Sequence, residues 1–338
     1  MMRKIGKLWR LLALLSCALL LAARPAAADA VKIGVLKATG SGPAFIAQDK
    51  GYFSAEGLNA ELVFFESAQP IAVAVASGDV DFGYTGLTGG FYGLASQGVL
   101  RIIGGGAHEV AGFHYQPIMA SNRAWDAGLR TVKDIQGHSF AVSQIGSPTH
   151  YALGMLAAKY GFEIKSVRIL PLQSIPNIMS ALIGGQADTG QAPGNVGNPA
   201  VARGDAKLLA YVGDETPYQL AVLFTSSKTA DERHDLVERT VRAMVKASRD
   251  YHDAVAGKDD KRADGPATDE ILGVIAKNTG QTPEQVKLGI TYVDVAQRLD
   301  VADVLRQVAW YRAQGLVKGP VDGPAMIDMR YAVAVPGG

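Results

Sequence analysis

The sequence predicts an α/β protein built as two similar lobes that face each other across a cleft. Three observations carry this. The order of parts in residues 43–86 returns, in weaker form, roughly a hundred residues later. Strand-like and helix-like stretches alternate over residues 31–221, the pattern of βαβ units around a mostly parallel sheet. The chain has 338 residues, and without a 28-residue leader the remaining 310 exceed the ~100 to 200 of an ordinary domain.

The leader comes first. Arg3, Lys4, Lys7 and Arg10 precede an apolar stretch over residues 11–23, and Ala26-Ala27-Ala28 stands before Asp29, a secretory pattern with cleavage expected after Ala28. The apolar run is shorter than the ~20 residues of a spanning helix. Cys17 lies within it, so the mature chain has no cysteine and neither disulfide nor thiol chemistry. The leader also removes five basic residues and no acidic ones, leaving 28 Lys plus Arg against 32 Asp plus Glu, a formal charge of −4. That balance argues against a nucleic-acid partner and an anionic membrane surface.

The first copy begins with a strand at 31–36, the small-residue loop Thr39-Gly40-Ser41-Gly42, a helix opening at Pro43, and Gly51-Tyr52-Phe53. The second has a strand at 139–143, Gly146-Ser147-Pro148, a helix ending near Lys159, and Gly161-Phe162. Each continues through a β-type run (62–65; 167–170), a proline (Pro70; Pro176), a short helix and a closing Gly78-x-x-Asp81 or Gly185-x-x-Asp188. The duplicated aspartates are expected to close a strand and its turn rather than act as catalytic carboxylates. Extended runs at 115–120 and 219–225 are the expected crossings between lobes, which divides the chain into a leader (1–28), a first lobe (29–118 with 222–338) and a second lobe (119–221). Beyond Ser226 the pattern is helical. Thr282-Pro283-Glu284-Gln285 reads as a capping box, and 301–314 repeats apolar residues at Val304, Leu305, Val308 and Ala309 before turning polar at Tyr311 and Arg312.

Both copies set a Gly/Ser loop directly before a helix that starts with proline. A helix N-terminus presents free N–H groups and about half a positive charge, so Ser41-Gly42 and Ser147-Pro148-Thr149 are candidates to hold an anionic group. The competing structural reading is that Ser41 and Ser147 only cap their own helices. Lys37, His114 and His150 are the nearest candidate cations or donors, and Tyr84, Tyr151, Tyr211 and Tyr218 candidate walls. His108, Glu109 and His114 match no standard zinc spacing, Gly104-Gly105-Gly106 lacks the Lys and Ser/Thr of a phosphate loop, and no hydrolase elbow, metalloprotease or dinucleotide motif occurs. No metal, cofactor or catalytic residue is expected.

In order, DKGYFSAEGL, ASGDVDFGYTG, TVKDIQGHSFAVS and GGQADTG resemble the periplasmic solute-binding proteins of ABC importers. The resemblance is to the nitrate, sulfonate and taurine binders, a family that also includes binders of thiamine pyrimidine precursors, and it covers roughly residues 31–225. It implies a type II-like periplasmic binding protein fold, closing about the two crossing strands on a ligand in the cleft. It implies a monomer that serves a membrane permease, with no nucleic-acid partner. Thr85 and Gly86 correspond to a cleft-lining loop of that family, though Thr88-Gly89-Gly90 stands here where many members have a proline. The expected ligand contacts are thus Lys37, Thr39, Gly40, Ser41, Gly42, Thr85, Gly86, His114, Ser147, Thr149, His150 and Gln191. The expected ligand is a small organic anion, a sulfonate or carboxylate with an aromatic body in view. The alternatives are a neutral pyrimidine precursor, an enzyme of the pyrimidine-synthesis type, and a sensor subunit on the same fold.

Overall fold

A computed structural model describes residues 28–319, 321 and 323–336, so all of the expected leader except Ala28 lies outside the described residues. The first sheet begins with β1 (Asp29–Leu36), β2 (Leu58–Phe65), β3 (Phe82–Gly86) and β4 (Leu100–Gly105). After the short β5 (Ala107–Glu109), the chain enters a second sheet of β6 (Pro117–Ser121), β7 (Ser139–Val142), β8 (Arg168–Pro171), β9 (Thr189–Gln191) and β10 (Ala206–Tyr211). It returns through β11 (Tyr218–Gln219) to β12 (Ala221–Ser226), and β13 (Tyr292–Val293) lies in the helical tail.

The two sheets have one topology. The orders are β2-β1-β3-β12-β4 and β8-β7-β9-β6-β10, with the first three strands of each parallel and the fourth antiparallel to both its neighbours. β6 and β12 are therefore equivalent, each the first strand laid down after a crossing. The crossings themselves fall between the sheets, at 106–116 and 212–220, where β5 and β11 pair. Pro117 and Ala221 already belong to the sheets the chain is entering.

Apolar residues of β1 (Val31, Ile33, Val35) and of β7 (Phe140, Val142) are buried under helices, as expected for parallel strands covered on both faces. Gly83 in β3 permits a close approach, because a Cβ there would lie 2.2 Å from the Phe224 ring of β12. The duplicated aspartates perform the same task twice. Asp81 Oδ2 accepts from the Lys32 N–H of β1 at 2.8 Å, and Asp188 Oδ2 from the Ser139 N–H of β7 at 2.9 Å. Arg233 stands 3.6 Å from the first and Arg123 2.8 Å from the second.

The tail helix Val301–Ala313 lies against both lobes. Val304, Val308 and Tyr311 share its buried face while Leu305 and Ala309 turn outward, so the polar turn expected at Tyr311 does not occur. Spacings of four and three put 304, 308 and 311 on one stripe, and 305 and 309 a step around it. The Tyr311 hydroxyl reaches the carbonyls of Leu87 in the first lobe and Ser147 in the second, at 3.4 and 3.2 Å. Trp310 packs where a Cβ on Gly154 would be 2.3 Å away. The expected capping box at Thr282 is formed.

Candidate functional site

A cavity with about 710 Å³ of atom-free space, its open mouth included, lies between the lobes. It opens at the carboxyl ends of the parallel strands, with Leu36 at the end of β1, Thr85 and Gly86 ending β3, Ser143 just after β7 and Gln191 ending β9. That is where open α/β sheets bind ligands, since the loops there lead into helix N-termini. Leu36, Ile175, Ile178 and Leu220 give it apolar walls. The lobes touch beside it. The Gly89 N–H donates to the Gly146 carbonyl at 2.8 Å, a Cβ on Gly86 would lie 2.6 Å from Pro148, and Asn195 bonds Gln281 at 2.6 Å.

Six of the twelve expected contacts line this cavity: Gly40, Ser41, Thr85, Gly86, Thr149 and Gln191. The other six are placed elsewhere, each for a visible reason. Lys37 is exposed with its ammonium 5.7 Å from the Phe64 ring. The buried Thr39 hydroxyl donates to the Gly289 carbonyl, and Gly42 is pressed against Tyr251 and Ile275. His114 sits in a turn at φ 54°, half-exposed, stacked on Tyr211 at 4.2 Å and 3.4 Å from Asp214. His150 Nδ1 accepts from the Gly146 N–H at 3.0 Å while its ring meets Trp310 edge-on. Burial holds that imidazole's pKa down to about 4, so it is neutral. Ser147 Oγ accepts from the His150 N–H, which caps its own helix.

Of the candidate aromatic walls, only Tyr84 lines the cavity. Tyr151 and Tyr218 belong to an aromatic cluster with Trp310 and Tyr311. Sequence reasoning missed Ser67, Tyr115 and Gln116. The one available signal was position, since Tyr115 and Gln116 stand at the end of the first crossing.

The polar lining is neutral apart from Glu66, which is exposed, and no Lys, Arg or His contributes to it. Four buried side chains of the lining have polar atoms without a hydrogen-bond partner: Tyr84 Oη, Thr85 Oγ1, Gln116 Oε1, and both Oε1 and Nε2 of Gln191. Buried polar groups are ordinarily paired, so such a cluster around one cavity marks where an outside partner fits. The helix starts point the same way. No side chain caps the turn and helix that follow Ala38 (Thr39–Ser41, then Gly42–Asp49), the helix Ala68–Ser77 after Ser67, or the helix Gly194–Ala202 after Pro193. All three starts touch the cavity. Their N–H groups supply partial positive charge where no full cation stands.

Among the described residues, no three His, Cys, Asp or Glu side chains are grouped to hold a metal. His108 and Glu109 are neighbours on β5 and so point to opposite sides.

The model of a family described as NMT1/THI5 like matches residues 38–256, which include every lining residue except Leu36. The chain belongs to the NMT1/THI5-like family. Its fold is that of the periplasmic binding proteins. The alkanesulfonate-binding protein SsuA from Xanthomonas axonopodis pv. citri, solved bound to MOPS, superposes with a TM-score of 0.71 at 20% identity, covering 89% of this chain and 98% of that one. The periplasmic nitrate-binding protein NrtA from Synechocystis PCC 6803 gives 0.67 at 12% identity, over 87% and 84%. The desulfurization enzyme DSZB gives 0.63 at 17% identity, over 90% and 96%, so the fold also carries catalysis. No curated protein matches the chain in sequence. For this NMT1/THI5-like chain, membership and fold place the cavity in context, and the lining residues have to name the ligand.

Proposed function

We propose that this chain is the substrate-binding component of an ABC importer, capturing a small organic anion in the interlobe cavity and presenting it to a membrane permease. One observation carries the reading: three uncapped helix starts converge on an interlobe cavity whose lining includes no Lys, Arg or His. Such termini attract a sulfonate or carboxylate, and the apolar walls suit a hydrocarbon or aromatic body. The solved relatives that bind alkanesulfonate and nitrate support it. No lining serine or threonine has a histidine beside it in the lining to activate it, which favours capture over catalysis. The reading includes export to the periplasm with the leader removed after Ala28, action as a monomer, and closure of lobe 29–118/222–338 on lobe 119–221. A neutral pyrimidine precursor is the alternative guest.

A thermal-shift screen over sulfonates, aromatic carboxylates and thiamine precursors tests the ligand, since saturation at a hundred times Kd adds ~2.7 kcal/mol of stability. Small-angle scattering with the best compound should show a smaller radius of gyration. Ligand bridging both lobes favours the closed form only by its differential affinity for it. A confirmed ligand that leaves the scattering unchanged would falsify closure.

A further inference from the structure

Gln191 ends β9 at the inner wall of the cavity and is fully buried, yet neither end of its amide has a partner. An amide carries donors at one end and an acceptor at the other, and rotating it by half a turn exchanges them without changing the demand. A guest that only accepts hydrogen bonds leaves one end of Gln191 unpaired in either orientation. Gln116 Oε1 repeats the demand for a donor, and the Glu66 carboxylate at the exposed rim offers further acceptor oxygens. The uncapped helix starts ask for the opposite, an acceptor with negative character. Tyr84 and Thr85 hydroxyls turn either way and select neither.

Resting on the proposed capture of an organic anion, we infer that the ligand is an anion bearing a hydrogen-bond donor as a separate substituent, a hydroxy- or amino-substituted carboxylate or sulfonate, and that Gln191 selects for that donor. A site built to pair a substrate hydroxyl rejects the analogue that lacks it, because its own buried group is then stranded.

The test is calorimetry on the full mature chain with pairs that differ by one hydroxyl: 4-hydroxybenzoate against benzoate, and isethionate against ethanesulfonate. The uncharged pair 4-hydroxybenzamide and benzamide runs alongside. The hydroxylated member should bind about tenfold or more tightly within a pair. In Gln191→Leu, of similar volume, that preference should collapse toward equality, with folding checked by circular dichroism. The wild-type ratio stands by itself if the variant does not fold. Equal affinities within every pair, a preference that survives Gln191→Leu, or no binding by any of these compounds overturns the inference. If only the uncharged pair binds and still prefers the hydroxyl, donor selection stands and the anionic part of the proposed function falls.

Discussion

The two lobes share a topology and differ in what they do with the starts of their helices. In the second lobe, Ser147 and Ser174 each accept an N–H from their own helix, His150 and Asn177 respectively. At the matching positions of the first lobe, Ser41 and Ser67 do not. Ser41 Oγ turns back to accept from the Leu36 N–H of β1, and Ser67 makes no side-chain cap. The third pair is reversed, with Thr88 capping in the first lobe and Pro193, which has no hydroxyl, in the second. The same residue type ahead of the same element thus closes a terminus in one lobe and leaves it open in the other. The two lobes share the frame and differ at the helix starts.

The closing aspartates offer the largest contrast. Asp188 accepts from both the N–H and the hydroxyl of Ser139 and pairs with Arg123, contacts that lower its carboxyl pKa despite the opposing cost of burial. Asp81 is more exposed and holds the Lys32 N–H, with its arginine farther off. Asp188→Ala should therefore cost about 3 kcal/mol and Asp81→Ala about 1 kcal/mol, since hydrogen bonds to charged groups count most when buried. Equal losses in urea denaturation would break the comparison and make the two hooks interchangeable.

The segment joining the lobes carries a buried carboxyl whose ionisation should cost stability as pH rises. Glu109 in β5 is fully buried, and burial raises its carboxyl pKa to about 8, with the Gly213 and Gln116 amides offsetting only part. In the unfolded chain the group titrates near 4.5. Between those values the folded state holds the extra proton, so stability falls as pH rises, by up to about 1.4 kcal/mol per pH unit. His108 and His150 act with the opposite sign, because their folded pKa values are held down to about 4 and stability is lost as pH falls from 6.5 toward 4. The window from pH 6.5 to 8 therefore isolates Glu109. A melting temperature that declines across it in the wild type and is flat in Glu109→Gln is expected; a flat wild-type profile refutes it.

Capping gives the smallest effect and tests the contrast between lobes most directly. Ser174→Ala should lose about 1 kcal/mol, and Ser67→Ala at most a few tenths, because only the first removes a cap. Ser67→Ala should instead weaken ligand binding. If Ser67→Ala destabilises as much as Ser174→Ala, the first-lobe terminus is not open.

How much of this was legible follows from the range over which each feature is determined. The repeat, the Gly-x-x-Asp hooks and the Thr282 box are local patterns, and they appear where the sequence places them. Of the residues expected to touch a ligand, half line the candidate cavity. Thr85 and Gln191 stand at strand ends and Thr149 in the helix after one, places that periodicity locates, but whether Ser41 caps or Lys37 points inward depends on side-chain torsions that no spacing encodes. His114 lies off the cavity, with its backbone in a left-handed conformation and its ring stacked on Tyr211. Gln116 was missed because nothing in a Tyr-Gln-Pro stretch tells that its amide faces a cavity made by distant loops.

The antiparallel strand of the first sheet has a consequence for the order in which the chain, emerging from its N-terminus, can fold. The second sheet is drawn from one continuous stretch, 117–211, and can complete itself as soon as that stretch is available. In the first sheet β12 is the partner that joins β4 to β3, so β4 waits through 115 intervening residues, 106–220, before it can join. Until β12 arrives, β4 and the β12-facing edge of β3 stay unpaired. The half of the molecule made first is thus the half finished last. During that interval it is the emerging chain's point of exposure to mispairing with other chains.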